Sequence, residues 1–138
     1  IKIYIKEHVP IAIWNNKSYM NNSGDIFFIH DIKKNLPMIN SNESRNKIMH
    51  VYFSLLLKYI SDYNLDIEIK KIEENEIRSI SAHLSSGIIV KFGSKDIKSK
   101  IHTFFKAYKT LNSSDLKKIG YIDMRYSNGF SIGWKSVK

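Results

Sequence analysis

The residue types that most often do chemistry are present in this chain of 138 residues, but they are not spaced for it. The five histidines are scattered, with no pair one helical turn apart and no carboxylate at ligand spacing. The six glycines stand singly, and neither a phosphate-binding loop nor a G-x-S-x-G motif occurs. Glu73, Glu74 and Glu76 are typical of a solvated strand end. We therefore expect no catalytic, cofactor or metal site, although a site assembled only by folding stays open.

Nucleic-acid binding is a second possible chemistry, because the net charge is +9 and aromatic residues fall on predicted strands. The aromatic residues concerned are Phe27, Phe28, Tyr126, Phe130 and Trp134. Alternating aromatics are also typical of a strand that faces a core, and no RNP-like run is present. The lysines are spread along the chain and only three residues are arginine, which indicates a codon bias toward A and T. A basic nucleic-acid-binding module stays the alternative function.

The C-terminal hairpin is the segment that most favours a function. Two alternating runs flank Ser127-Asn128-Gly129, and Asn-Gly accepts the positive φ angles of a tight primed turn. The second run alternates Phe130, Ile132 and Trp134 with Ser131, Gly133 and Lys135. A strand so near the C-terminus is expected at a sheet edge. Such an edge offers unpaired backbone N–H and C=O groups to a partner.

The rest of the pattern predicts one α+β domain, an antiparallel sheet with two helices packed on it. The predicted strands are 1–7, 11–14, 18–20, 26–29, 65–74, 77–84 and 88–92, before the hairpin. The predicted helices are 43–62, capped by Asn40, and 95–111, capped by Ser94. The predicted buried stripes are Ile48, Val51, Tyr52, Leu55, Leu56 and Tyr59 in the first helix, and Ile97, Ile101, Phe104, Phe105 and Tyr108 in the second. Segments 33–42 and 112–115 read as irregular, and no apolar run reaches the ~20 residues of a membrane span.

Four blocks, in order, resemble the FtsQ/DivIB family of cell-division proteins. Residues 122–134 are similar to its ending, "DLRY-x-x-G-x-A-V-x-W", and residues 7–14 to its "E-x-x-P-x-A-x-W". Residues 23–27 are similar to its "G-x-x-F" hairpin, and residues 88–93 to its "L-x-L-G" strand. Two departures stand out: Ser94 replaces the arginine of "L-G-R", and Ser131-Ile132 replaces the "A-V" pair.

The resemblance implies a domain division and a place in the cell. Residues 1–9 would be the last strand of a POTRA domain, and residues 10–138 the FtsQ-like β-domain. The parent would be a single-pass inner-membrane protein that holds this domain on the periplasmic side at the division septum. It would act as a non-catalytic scaffold that links early and late division proteins. Its partner FtsB would add a strand to the C-terminal edge, and FtsL would come with FtsB.

The partner-binding residues that the resemblance implies are Arg78, Arg125, Tyr126, Ser127, Asn128, Gly129, Phe130, Ser131, Ile132 and Trp134. Asn128 and Gly129 would shape the turn, and the aromatic residues Tyr126 and Trp134 would be the anchors. Arg125 and Arg78 would offer forked donors to acidic groups of the partner. The alternatives are that Tyr126 or Trp134 faces the core, and that Arg125 pairs with Asp123 within the chain.

Overall fold

The computed structural model describes residues 9–28, 35–126 and 129–135. In these residues, nine strands form one sheet, and two longer helices pack together against it. The strands are β1 (Pro10–Trp14), β2 (Ser18–Asn21), β3 (Ile26–Phe27), β4 (Met38–Asn40), β5 (Ile69–Glu74), β6 (Ile80–Leu84), β7 (Ile89–Gly93), β8 (Ile119–Asp123) and β9 (Ser131–Trp134). The helices are α1 (Asn46–Asp62), which follows a 3₁₀ turn at Glu43–Arg45, then α2 (Ile97–Tyr108) and the single turn α3 (Ser113–Leu116).

The sheet is mixed, with the strand order β3-β2-β1-β4-β5-β6-β7-β8-β9. Strand β4 pairs in parallel with β1 and β5, and β7 pairs in parallel with β8, whereas the other pairings are antiparallel. The α+β class is therefore confirmed, but the sheet is not wholly antiparallel as predicted. The reason is that α1 and α2 are crossover connections, which return the chain to the same end of the sheet. The predicted meander of β5, β6 and β7 is antiparallel, as expected.

The core lies between the two helices and one face of the sheet. Helix α2 buries all five residues of its predicted stripe. The stripe predicted for α1 is shifted: Met49, Phe53 and Leu56 are buried, whereas Val51 is 40% exposed. Apolar residues lie on nearly every side of α1, so periodicity alone could not choose the face that meets the sheet.

Several helices and strands begin or end at residues that differ from the prediction. Asn42, not Asn40, caps the turn before α1, since Asn40 ends the unpredicted strand β4. Helix α2 begins after Asp96, whose backbone lies in the left-handed region (φ 54°), and not after Ser94. The amide oxygen of Asn112 caps α3 in the segment predicted to be irregular. Of the predicted POTRA strand, residues 1–8 lie outside the described residues.

Strands β1, β4, β5, β7 and β8 all end at the same side of the sheet, and β6 and β9 begin there. We call this side the carboxyl rim. Residue Arg78 lies on it, in the turn between β5 and β6, and Arg125 lies on it after β8. The fold therefore brings two predicted binding residues, which are distant in sequence, to one rim.

Candidate partner-docking edge

Strand β9 is the outer strand of the sheet and pairs with β8 on one side. The paired residues include Ile122 with Ile132 and Asp123 with Ser131. Within the described residues, no strand pairs with the other side of β9. Strand β9 therefore lies at an edge of the sheet, as the sequence predicts, and an edge strand can pair with another polypeptide.

Exposed aromatic side chains are concentrated on this hairpin. Of the nine exposed large apolar residues in the described part of the chain, four belong to it: Tyr121 (40% exposed), Tyr126 (59%), Phe130 (40%) and Trp134 (58%). The predictions that Tyr126 and Trp134 are available to a partner agree with this exposure, and the alternative that either lies in the core does not. Ile132 is half-buried, and Ser131 and Gly129 are exposed. Aromatic residues are enriched at the centres of protein interfaces, so their grouping beside an open edge favours docking.

The described pairing of the hairpin ends at Asp123 with Ser131, and residues 124–126 and 129–130 lie outside its two strands. Ser127 and Asn128 lie outside the described residues. A Cβ atom built on Gly129 would meet no heavy atom within 4 Å, so the space beside this glycine is open.

Arg125 is held by the carboxylate of Asp123, which is the alternative that the sequence left open. Its Nε lies 2.9 Å from Oδ1 and its Nη2 lies 2.7 Å from Oδ2, while its backbone N–H donates to Oδ1 at 3.0 Å. The Asp123 side chain is 6% exposed and that of Arg125 is 54% exposed. Hydrogen bonds from the guanidinium keep the pKa of the Asp123 carboxyl below its usual value. This pair fixes the course of the chain just before Tyr126.

Gly93 makes room for this arginine. It ends β7 with φ +81°, and a Cβ built on it would lie 3.1 Å from Cγ of Arg125. The backbone N–H of Met124 also donates to the carbonyl of Lys91 at 2.7 Å. The chain after β8 is thus held against β7 by this backbone hydrogen bond and by the Arg125 side chain, which lies close to Gly93.

Arg78 occupies a different setting on the same rim. It has φ 64° in a turn closed by Asn75, whose Oδ1 accepts from the backbone N–H groups of Ile77 and Ser79. Its side chain is 56% exposed, and its Nη1 lies 3.9 Å from Oε1 of Glu74. Most of the guanidinium is therefore accessible, as a donor to a partner would be. The strand predicted over 77–84 in fact begins at Ile80.

Tyr121 is a residue of this surface that sequence reasoning missed. Its ring lies over Gly133 of β9, so that a Cβ on Gly133 would clash with the ring. The Nζ of Lys91 lies 4.5 Å from the ring centroid on the same open face of the sheet. The alternation of Gly133 with Trp134 was visible in the sequence. The pairing with Tyr121 was not, because a register shift between Ile119 and Tyr121 sets it.

The described residues show no arrangement of metal ligands. Three histidines make single polar contacts: His83 with Glu73, His102 with Tyr59 and His50 with Ser54. No group of three His, Cys, Asp or Glu side chains that could hold a metal ion occurs in residues 9–28, 35–126 and 129–135. Among the helices of these residues, none has the length and apolar character to cross a membrane.

Comparisons with known proteins agree with the sequence blocks. The family described as "Cell division protein FtsQ/DivIB, C-terminal" matches residues 12–125. Similar curated proteins named "Cell division protein FtsQ" come from Haemophilus influenzae (28% identical over 96% of this chain and 53% of the relative) and Aliivibrio fischeri (29%, over 99% and 53%). That of Escherichia coli is 28% identical over 97% of this chain and 50% of its own length. The chain thus spans about half the length of these curated relatives.

Proposed function

This chain belongs to the FtsQ/DivIB family of cell-division proteins, and from that premise we propose that it is a docking domain whose strand β9 accepts a strand from a divisome partner. The observation that carries the proposal is the open outer side of β9, bordered by four exposed aromatic side chains. In β-strand addition, backbone hydrogen bonds hold the incoming strand and side-chain contacts select it. The edge offers both, in Tyr126 at the rim and Trp134 at the far end of β9.

The partner that fits this role is FtsB, with FtsL held through FtsB. The parent would be anchored in the inner membrane by a single span, with a POTRA domain before this β-domain on the periplasmic side of the septum. Its role would be scaffolding without catalysis. The support lies in the family, in the free edge and in the exposed guanidinium of Arg78 on the carboxyl rim. Arg125 would act mainly by placing Tyr126, because Asp123 already binds its Nε and Nη2.

The rival function, nucleic-acid binding, has less support in the arrangement of the aromatic residues. Phe27 and Phe28 lie at the β3 edge of the sheet, whereas Tyr126, Phe130 and Trp134 lie at the β9 edge. A stacking surface needs neighbouring aromatic residues interleaved with basic ones. The five aromatics are split between opposite edges and do not form one such surface.

The test is capture of a purified periplasmic segment of FtsB by the isolated chain, with Tyr126→Ala and Phe130→Pro as variants. We expect Tyr126→Ala to weaken binding about 30-fold, since an aromatic anchor is worth ~2 kcal/mol. A proline at Phe130 removes a backbone donor beside β9 and should weaken binding further.

A matched control is Phe28→Ala, which removes an exposed aromatic side chain (78% exposed) at the opposite edge of the sheet. It should leave capture unchanged. All three variants are first shown to be folded by circular dichroism. Equal capture by Tyr126→Ala and by the unchanged chain would refute the assignment of the edge.

A further inference from the structure

The solvent-facing side of α2 is a basic stripe. Lys98, His102 and Lys106 recur at four-residue spacing and are exposed, with Lys95 before the helix and Lys109 after it. Residues four apart lie on the same side of a helix, so Lys98, His102 and Lys106 form one row roughly 12 Å long. The sequence of α2 contains no aspartate or glutamate. The fold therefore groups these particular lysines on one side of a helix, although lysine is spread along the sequence as a whole.

Within the described residues, Lys95, Lys98 and Lys106 differ from four lysines elsewhere in making no ion pair. Four lysines elsewhere make ion pairs within the chain, and these pairs are Lys17 with Glu43, Lys47 with Asp25, Lys70 with Glu68 and Lys71 with Glu73. In the described part of the chain, no carboxylate lies within 4.0 Å of Lys95, Lys98 or Lys106. Lys109 instead lies over the ring of Tyr63, 4.8 Å from its centroid. The positive charge of α2 is thus left for an external anion.

An apolar groove accompanies the basic stripe. It lies between α1 and α2, has a volume of about 360 Å³ and includes Val51 and Leu55 in its lining. Lys58 of α1 and Lys98 of α2 also line it, so positive charge flanks the groove on both helices. Val51, which periodicity placed in the core, is exposed here. We call the surface formed by this groove and by Lys95, Lys98, Lys106 and Lys109 the basic helix face.

We propose that the basic helix face docks on an anionic phospholipid surface. A row of ammonium groups complements an array of headgroup phosphates without a specific geometry, and each lysine near such a surface adds attraction. Exposed apolar groups between the lysines suit the boundary between headgroups and acyl chains. This contact is on the helices and is separate from the β9 edge.

The chemistry of this face favours lipid over nucleic acid. Proteins that bind single-stranded nucleic acid stack its bases on aromatic side chains, with further contributions from arginine. The exposed positions of α2 carry lysine, serine, histidine and threonine. The three arginines of the chain lie elsewhere, each near a buried carboxylate: Arg45 and Arg78 near Glu74, and Arg125 near Asp123.

The experiment is co-sedimentation of the chain with vesicles of phosphatidylcholine alone or with one quarter phosphatidylglycerol, at 50 mM salt. The test variant combines Lys95→Gln, Lys98→Gln, Lys106→Gln and Lys109→Gln. The control variant combines Lys17→Gln, Lys47→Gln, Lys70→Gln and Lys71→Gln, which removes the same net charge from ion-paired sites. About fivefold per lysine is expected from the basic helix face, so the test variant should bind the anionic vesicles at least ~100-fold more weakly. The control should lose far less, and 0.5 M salt should weaken binding of the unchanged chain.

Three results would overturn the proposal: no preference for anionic vesicles, equal losses in the two variants, or binding of a single-stranded oligonucleotide as tight as vesicle binding and equally sensitive to the test variant. The last would assign the face to nucleic acid. Capture of the FtsB segment should be the same in both lysine variants. The lipid proposal can therefore fail while the docking proposal stands, and the reverse also holds.

Discussion

Strands β5 and β8 both end at the carboxyl rim in a buried carboxylate bound by an arginine, but the two pairs lie in different surroundings. Glu74 lies in the middle of the sheet and is bound by Arg45 at 3.0 and 2.8 Å and by the Ser41 hydroxyl at 2.6 Å. Asp123 lies one strand from the edge and, among the described residues, accepts hydrogen bonds from Arg125 alone. The Arg45 side chain is 26% exposed, whereas that of Arg125 is 54% exposed.

This difference indicates that the Arg45–Glu74 pair stabilises the fold, whereas the Arg125–Asp123 pair orients the chain at the docking edge. Arg45 belongs to the turn before α1, so its bond to Glu74 ties the helix layer to the central strands. Arg125 is two residues from Asp123, so their bond joins no distant elements. It fixes a short stretch of backbone beside Tyr126. We therefore expect loss of the first pair to lower stability, and loss of the second to lower partner binding.

The largest effect on stability is expected from Arg45→Met. This change leaves Glu74, whose side chain is 2% exposed, without its main partner. Leaving one member of a buried ion pair unpaired costs about 3 kcal/mol or more. Chemical denaturation monitored by circular dichroism measures this loss in the free energy of unfolding.

Arg78→Met is the matched control, since it makes the same side-chain change at an exposed residue 3.9 Å from the same carboxylate. It should cost less than about 1 kcal/mol. If the two variants lose the same free energy of unfolding, Arg45 is no more important to Glu74 than Arg78 is, and the structural role given to the Arg45–Glu74 pair is wrong.

Acid should reveal the next effect. Hydrogen bonds from Arg45 lower the pKa of Glu74, and hydrogen bonds from Arg125 lower that of Asp123, from ordinary values of 4.5 and 3.8. A carboxyl with a lowered pKa in the folded chain stabilises it fully above the ordinary value, and this contribution is lost as the pH falls through the folded value. The free energy of unfolding should therefore decline below about pH 4.5. Glu74→Gln should flatten this decline more than Asp123→Asn, because the Arg45 side chain is 26% exposed and that of Arg125 is 54% exposed, so solvent screens the Glu74 pair less. The reverse order in denaturation series from pH 6 to pH 3 would contradict this ranking.

The sequence predicts correctly those elements whose apolar pattern allows only one face to be buried. In α2, lysines separate the apolar residues, so a single face can be buried, and the five predicted residues are the buried ones. In α1, Val51 and Phe53 fit a buried face equally well by periodicity, and packing against the sheet decides that Phe53 is the buried one. Strand β4 was not predicted, because it has three residues directly after Pro37 and is held by parallel neighbours from distant parts of the chain.

The candidate site shows the same division. The sequence predicts the edge position of β9 but leaves open whether Tyr126 and Trp134 face the core, and the structure exposes both side chains. The ring of Tyr121 over Gly133 depends on a register shift, which residue alternation does not encode. The grouping of lysines on α2 was missed because lysine is spread along the whole sequence, and only the helix brings residues three or four apart onto one face.

A small effect on stability, and the sharpest test of the comparison, is expected from Asp123→Asn. An amide still accepts hydrogen bonds from the backbone N–H and Nε of Arg125, and this guanidinium is largely in water, so the loss of unfolding free energy should be much smaller than that of Arg45→Met. Capture of the FtsB segment should nevertheless fall about tenfold, because the chain before Tyr126 loses its charged anchor. Glu68→Gln makes the same chemical change in an exposed pair with Lys70 and should alter neither quantity. Capture that falls only in proportion to the unfolded fraction would show that Asp123, like Glu74, serves the fold alone.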